Sequence, residues 1–354
     1  MFKKPCGTFD EAYEKDTAMV RTPFRWVMLA LLFALMFLVF PFVAGAYLLD
    51  VANNIGITII AVLGLQILVG FTGLISLGHA AFMAAGAYTS AMLSEHLGWP
   101  FYATMPLAAL VSGLLGMLVS LPALRIRGFY IAVSTVAAHY IILWFILHGG
   151  DLTMGTSGLT AHEISMGGFV FDSEFSMYYV IMGLTVLVVF LLTNLMRTKI
   201  GRAMLAVRDN DLAAEFMGIN VFRTKVLAFF LSSVCAGMAG ALLAHYQGLI
   251  TVDQFTLIDS IWFLGMLIIG GPTIIGAIFG AIFLRLLSQL VLFMAPFIGG
   301  IFPAFSGTAV SGFTQIFFGL VIILFLVFEP RGLAHRWQIT LSTFRLWPFK
   351  TPLG

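Results

Sequence analysis

Seventeen of the 18 Lys and Arg residues of this chain can be assigned to one side of a membrane, and the remaining one, Arg285, falls inside an apolar stretch. Cationic loops are retained on the cytoplasmic side during insertion, so such a distribution sets a topology before any motif is read. It predicts a polytopic membrane protein. Composition points the same way: charged residues make up 10% and hydrophobic residues 60%, against roughly 25% charged in an ordinary soluble domain. A water-soluble fold has no means to hide that much apolar surface, whereas lipid solvates it. The formal charge of +2 therefore reads as retained loops and not as a nucleic-acid footprint.

The first 25 residues are polar and mix Lys3, Lys4, Lys15, Arg21 and Arg25 with Asp10, Glu11, Glu14 and Asp16. The apolar run 26–49 that follows is longer than the roughly 7–15 residues of a signal h-region, so no cleavable signal is expected, although Ala44-Gly45-Ala46 mimics a cleavage site. Further apolar spans are expected at 51–71, 76–94, 101–121, 128–147, 178–196, 225–249, 257–271, 274–298 and 312–328, most near the roughly 20 residues a crossing needs. The expected fold is thus an all-α polytopic membrane protein of about ten transmembrane helices with both termini cytoplasmic. Its parts are a tail 1–25, a transmembrane domain 26–328 and a second tail 329–354. The basic loops Arg125–Arg127 and 197–225 then lie inside. The loop 148–177, with Asp151, Glu163, Asp172 and Glu174 and no Lys or Arg, lies outside, in the periplasm. Its turn-rich stretches, Gly149-Gly150-Asp151 and Met154–Gly158, leave room for a short helix or a hairpin.

Small residues concentrate in Gly70–Ala91 and Cys235–Ala244, and Gly276 and Gly280 add a GxxxG spacing. Such residues let helix backbones approach closely in lipid. They serve either tight packing or a pathway along which helices slide, and their occurrence in both halves allows a duplicated fold. Every Asp and Glu lies in a loop, a tail or a span end, with Asp50, Asp253 and Asp259 nearest the apolar core. Ion-driven carriers commonly bury a carboxylate deeper than that. The chain also lacks GxxxxGK[ST], so it binds no ATP through a P-loop of its own, and active transport would draw on another subunit. Arg285 lies about 16 Å along its span. There it caps helix-end carbonyls, pairs with Asp259 or meets an anionic substrate. His79 and His139 are intramembrane candidates for packing hydrogen bonds. Cys6 and Cys235 are read as free thiols with no metal-ligand spacing.

The segment 197–225 carries the most specific signal. It contains Ala206-Val207-Arg208-Asp209-Asn210-Asp211-Leu212-Ala213-Ala214-Glu215-Phe216-Met217-Gly218-Ile219-Asn220. Asn210 is a plausible N-cap with Asp211 in the first turn, and Gly218 can end the helix in a left-handed conformation. Leu212, Phe216 and Ile219 form an apolar stripe on a helix of two turns, too short to stand alone. The stripe needs a groove on this protein or on another. Ala-Ala-Glu followed by Gly three residues later resembles the cytoplasmic loop by which ABC importer permeases dock on their ATPases, and the wider run is similar to the M-type permease of high-affinity branched-chain amino-acid importers. Gly73-Leu74-Ile75-Ser76-Leu77-Gly78-His79-Ala80-Ala81-Phe82 with Gly86-Ala87-Tyr88-Thr89, then Arg127-Gly128-Phe129-Tyr130, and finally Pro330-Arg331-Gly332-Leu333 agree with that family in order. Two features depart from it: Pro272-Thr273-Ile274-Ile275-Gly276-Ala277 replaces a longer glycine-rich turn ending in Gly-Pro, and Arg285 has no counterpart in the pattern.

The resemblance implies a subunit of an ABC importer in the bacterial inner membrane. A second permease, two ATPase subunits carrying ATP-Mg and a periplasmic solute-binding protein would be its partners, with no cofactor in this chain and no covalent chemistry. It implies ATPase coupling through Asn210, Asp211, Leu212, Ala213, Ala214, Glu215, Phe216 and Gly218. Ser76, His79, Tyr88 and Thr89, polar groups in a close-packed region, are with Arg285 the candidates for a substrate pathway. Branched-chain amino acids lead as substrates. Urea, amides and aromatic acids are carried by similar permeases, and an ATP-independent carrier or channel is the competing class. The charge pattern makes one prediction. In a cysteine-free background, Cys placed at Ser157 is expected to react with an impermeant maleimide added to intact cells, and Cys placed at Thr198 only after permeabilisation; the reverse labelling would invert the topology.

Overall fold

The computed structural model describes residues 23–124, 130–162, 164–166, 169–171, 173–301, 308–329 and 331–346. Most of the expected tail 1–25 with Cys6, the loop Arg125–Arg127 with Gly128 and Phe129, and Glu163, Asp172, Pro330 and Lys350 lie outside the described residues. The helices are α1 (Pro23–Ala34), α2 (Phe40–Val43), α3 (Ala46–Gln66), α4 (His79–Leu97), α5 (Phe101–Ala123), α6 (Tyr130–Leu147), α7 (Glu174–Arg197), α8 (Lys199–Asp209), α9 (Asp211–Phe216), α10 (Val221–Gln247), α11 (Leu257–Gly270), α12 (Ile274–Ile301), α13 (Thr308–Phe328) and α14 (Leu333–Leu346). Among the described residues eight helical stretches are long and apolar enough to cross a membrane, or nine if Gln315–Phe328 and Leu333–Thr340 count together.

The all-α polytopic architecture is as the sequence predicts, with two differences of span. The run 26–49 is not one helix: a π turn at Leu35–Val39 follows α1, and the chain turns extended at Ala44 and Gly45 before α3 starts at Ala46. Asp50 therefore sits one turn inside α3. The second difference is α4, which has the length of a span but too many polar residues, among them Ser90, Ser94, Glu95 and His96, to be counted with the apolar stretches. Ser90, Ser94, Glu95 and His96 each find a hydrogen-bond partner in protein and not in lipid.

α10 is the hub, packed against α3, α4 and α5. The two small-residue clusters meet here: a Cβ on Gly240 would lie 1.9 Å from Met83 O, and one on Gly86 would lie 2.3 Å from Gly237 Cα. Ser112 on α5 donates towards Phe82 O and Ser233 O, each at 2.8 Å, tying α4, α5 and α10 together. Gly280 makes a similar approach on α12, where a Cβ would stand 1.8 Å from Met266 O of α11. Large apolar side chains such as Leu118, Trp144, Phe145 and Phe190 point outward, as a lipid-facing surface requires.

The loop after α6 holds both structures the sequence allowed. Two 3-10 turns, Gly150–Leu152 and Gly155–Ser157, precede β1 (Leu159–Thr160), and β2 (Ile164–Met166) and β3 (Phe169–Phe171) form an antiparallel hairpin. β1 pairs antiparallel with β4 (Leu249–Ile250), just beyond α10. Tyr246, near the end of α10, places its hydroxyl 2.6 Å from Asp50 Oδ1 and 2.5 Å from Glu174 Oε2, joining α3, α7 and α10.

Gly240→Ala is expected to destabilise the protein by about 1–3 kcal/mol, because the new methyl meets a backbone carbonyl that has nowhere to go. A Cβ on Gly183 of α7 would meet nothing within 4 Å, so Gly183→Ala is expected to hold or raise stability by up to about 1 kcal/mol through helix propensity. Melting temperatures in detergent check the order; equal values would remove the packing argument.

Candidate functional site

α8 and α9 form an angled pair outside the membrane-spanning helices. Thr198 caps α8, accepting from Gly201 N at 3.4 Å, and Asn210 caps α9, its Oδ1 accepting from Ala213 N at 3.1 Å. α9 stops at a left-handed Gly218 (φ 83°), with Gly218 N donating to Glu215 O at 2.9 Å and Ile219 N to Ala214 O at 3.0 Å. That bond pair is the Schellman arrangement, and it satisfies carbonyls that a two-turn helix would otherwise leave open. A short helix is thereby made rigid by its ends and not by its length.

The faces of α9 are sharply divided. Ala214 is buried, which leaves no room for a larger side chain on that side, while Leu212, Phe216 and Met217 are 63%, 90% and 83% exposed. Asp211 pairs with Lys225 at the start of α10, so the helix is strapped to the hub. Glu215 and Ala213 are exposed beside the apolar face. On the other side, Arg208 of α8 donates from Nη1 to Gly70 O at 2.8 Å and pairs with Asp209 at 3.1 Å. Gly70 lies in the π turn Ile67–Phe71 that closes α3. α9 is thus tied to the hub by an ion pair, and the adjoining α8 to the end of a core helix by a hydrogen bond. π turns recur at functional sites because they free backbone carbonyls for other partners.

The candidate pathway residues are not brought together. Ser76 is fully buried in the irregular stretch before α4, and its hydroxyl has no partner among the described residues. His79 opens α4, with Nε2 2.8 Å from Ala61 O and its ring edge-on to Phe263 at 6.0 Å. Tyr88 and Thr89 lie farther along α4 on a different, apolar cavity lined also by Leu115, Ile142 and Phe145. Thr89 spends its hydroxyl on Ala85 O at 2.6 Å.

Arg285 stands elsewhere. It makes neither the expected ion pair with Asp259 nor a helix-end cap: its Nε donates to Thr58 Oγ1 at 2.8 Å, across from α12 to α3. Asp259 instead closes a capping box at the start of α11, where Oδ2 accepts from Thr256 N at 2.8 Å and Thr256 Oγ1 at 2.6 Å. Arg285 and Asp259 nevertheless line one cavity of about 200 Å3, with Asn54 and Ser288. Thr58, Asn54 and Ser288 are sites the sequence did not single out. The only signal for them is their register: Asn54 and Thr58 are four residues apart and share one face of α3. Among the described residues no three His, Cys, Asp or Glu side chains converge as a metal site.

The chain is similar to known proteins. The family described as branched-chain amino acid transport system permease component matches residues 47–326. The high-affinity branched-chain amino acid transport system permease protein LivM of Salmonella typhimurium is 30% identical over 317 residues, covering 83% of this chain and 71% of that protein. LivM of Escherichia coli K12 is 30% identical over 320 residues with the same coverage. The probable branched-chain amino acid transport permease protein LivH of Methanocaldococcus jannaschii is 24% identical over 290 residues, covering 78% of this chain and 87% of that protein. No solved structure matches the chain.

The caps yield a local prediction. Asn210→Ala removes the acceptor for Ala213 N and is expected to cost α9 about 1 kcal/mol. Hydrogen exchange of the amides in 211–216 should then quicken roughly five-fold, with α10 unchanged; protection equal to wild type would show that the cap does not hold the helix.

Proposed function

Because the chain belongs to the family of branched-chain amino acid transport system permease components, we propose that it is one of two different permease subunits in an ATP-driven importer of branched-chain or related amino acids, seated in the bacterial inner membrane. It is a multi-pass transport subunit and not an enzyme. In this reading ATP-Mg is bound and hydrolysed on two separate ATPase subunits, and a periplasmic binding protein delivers the solute to the face opposite α9.

The observation that carries the reading is α9 itself. Leu212, Phe216 and Met217 form an exposed apolar face at the tip of a helix capped at both ends. Apolar side chains that protrude from a rigid element, away from the membrane-spanning helices, suit a groove on a soluble partner. Asn210, Asp211 and Gly218 hold the helix, Ala214 lets it sit close against this protein, Ala213 keeps its exposed side thin enough to enter a groove, and Glu215 offers the groove a charge. Closure of the ATPases around ATP would shift that groove. The shift would pass through Lys225 to α10 and through Arg208 to the π turn of α3, as a rigid-body movement of packed helices.

The importer is tested by purifying the chain with its neighbouring gene products in nanodiscs and measuring ATPase activity with and without a loaded binding protein. Stimulation is expected; solute flux with no associated ATPase would favour the ATP-independent carrier instead. Glu215→Lys is expected to leave membrane assembly intact while ATP hydrolysis continues without uptake. Uptake at the wild-type rate in that variant would remove Glu215 from the coupling role.

A further inference from the structure

Arg285 combines three properties that a purely structural cation does not need. It lies about 16 Å along α12, where an uncompensated guanidinium costs several kcal/mol. Of its five N–H donors, the Nε–H is used by Thr58, and no carboxylate among the described residues stands within ion-pair distance. It is largely buried, yet it lines a cavity. The Thr58 hydroxyl that receives Nε itself donates to Asn54 O at 2.7 Å, so the bond fixes the orientation of the guanidinium without neutralising it.

The opposite charge is present in the same cavity. Asp259 uses Oδ2 for its capping box, and Oδ1 has no partner among the described residues. The remaining wall is largely apolar, with Met83, Leu243, Phe263 and Met266 from three helices. A planar fork of donors suits a carboxylate, a free carboxylate oxygen suits an ammonium, and the methionines adapt to a branched aliphatic group. At about 200 Å3 the space is smaller than the roughly 300–1,000 Å3 that drug-sized ligands occupy.

We propose that this cavity is a binding site for a zwitterionic amino acid with an apolar side chain, Arg285 receiving the carboxylate, Asp259 the ammonium, and Met83, Leu243, Phe263 and Met266 the aliphatic group. The inference rests on the importer reading for its substrate class, and it assigns recognition to residues of this subunit in addition to any binding protein.

The test uses the permease–ATPase complex in nanodiscs without binding protein, titrated calorimetrically with L-leucine, with 4-methylpentanoate, which lacks the amine, and with 3-methylbutylamine, which lacks the carboxylate. Wild type is expected to bind L-leucine roughly ten-fold or more tightly than either analogue. Arg285→Gln should lose the preference over 3-methylbutylamine, and Asp259→Asn, which keeps an acceptor for the capping box, should lose the preference over 4-methylpentanoate. Absence of leucine binding to wild type, or equal binding of all three compounds, overturns the proposal without recourse to a variant, as does an unchanged preference in both variants. ATP-driven leucine uptake by the wild-type complex with its binding protein separates the two readings: uptake without this selectivity removes the cavity assignment and keeps the importer, whereas selectivity without ATP-dependent uptake keeps the site and removes the importer.

Discussion

The contact on which the bundle depends is one from which side chains are nearly absent. α4 and α10 cross with Gly86 against Gly237 and Gly240 against Met83 O, so backbone meets backbone. Lipid tails are as apolar as leucine, and helices in a bilayer gain nothing by hiding leucine from them. Association has to come from close dispersion contact and hydrogen bonds between helices. The small residues of α10 serve this on several sides at once. Gly113 and Gly116 of α5 face Val234 and Ser233, and Gly64 of α3 faces Cys235 and Ser232 O. A single larger side chain at the centre would separate several helices together.

Polar groups in the spans act on top of that packing, and most of them are joints. Ser112 bridges three helices, and Ser260 on α11 accepts from Ala80 N at 2.9 Å, in the first turn of α4. Thr185 on α7 reaches Gly56 O of α3 at 3.2 Å. Each joins elements distant in sequence through one hydroxyl, which adds direction to an otherwise featureless apolar contact. α3 takes part in the last of these joints and ends in the π turn that Arg208 holds from α8. A helix deeply embedded in the core is therefore also held by α8, the helix that precedes α9.

Much of this was legible in the chain because lipid imposes simple demands. Long apolar runs give the helices, and the caps of α9 follow from Asn210 and Gly218, whose local chemistry has few alternatives. What escaped the sequence depends on contacts between remote positions. The break at Ala44 and Gly45 follows Pro41 and carries no charge, and in the π turn before it Tyr178 and Tyr179 of α7 donate to Met36 O at 2.9 Å and Phe37 O at 3.1 Å, contacts the sequence does not announce. The partner of Arg285 is a threonine 227 residues away, one of several in apolar helices, while the carboxylate that charge complementarity suggested is occupied by a capping box. Tyr88 and Thr89 separate from Ser76 and His79 along α4, whose apolar residues fall all round the helix, so periodicity does not tell which side opens on a cavity. That the two small-residue clusters, one in each half of the chain, pack on each other is likewise a fact of three dimensions.

The strand pair between Leu159–Thr160 and Leu249–Ile250 has a consequence for the order in which the molecule is made. A ribosome releases the first strand before α7, α8, α9 and α10 exist, so its backbone groups wait in water while four helices are synthesised and α10 is threaded into its glycine-lined slot. Only then does the second strand arrive to meet it, together with His245, which stands 2.6 Å from His162 O. The clasp over this end of the bundle is thus a late event in biogenesis, and its closure marks the moment at which the hub helix has reached its final depth.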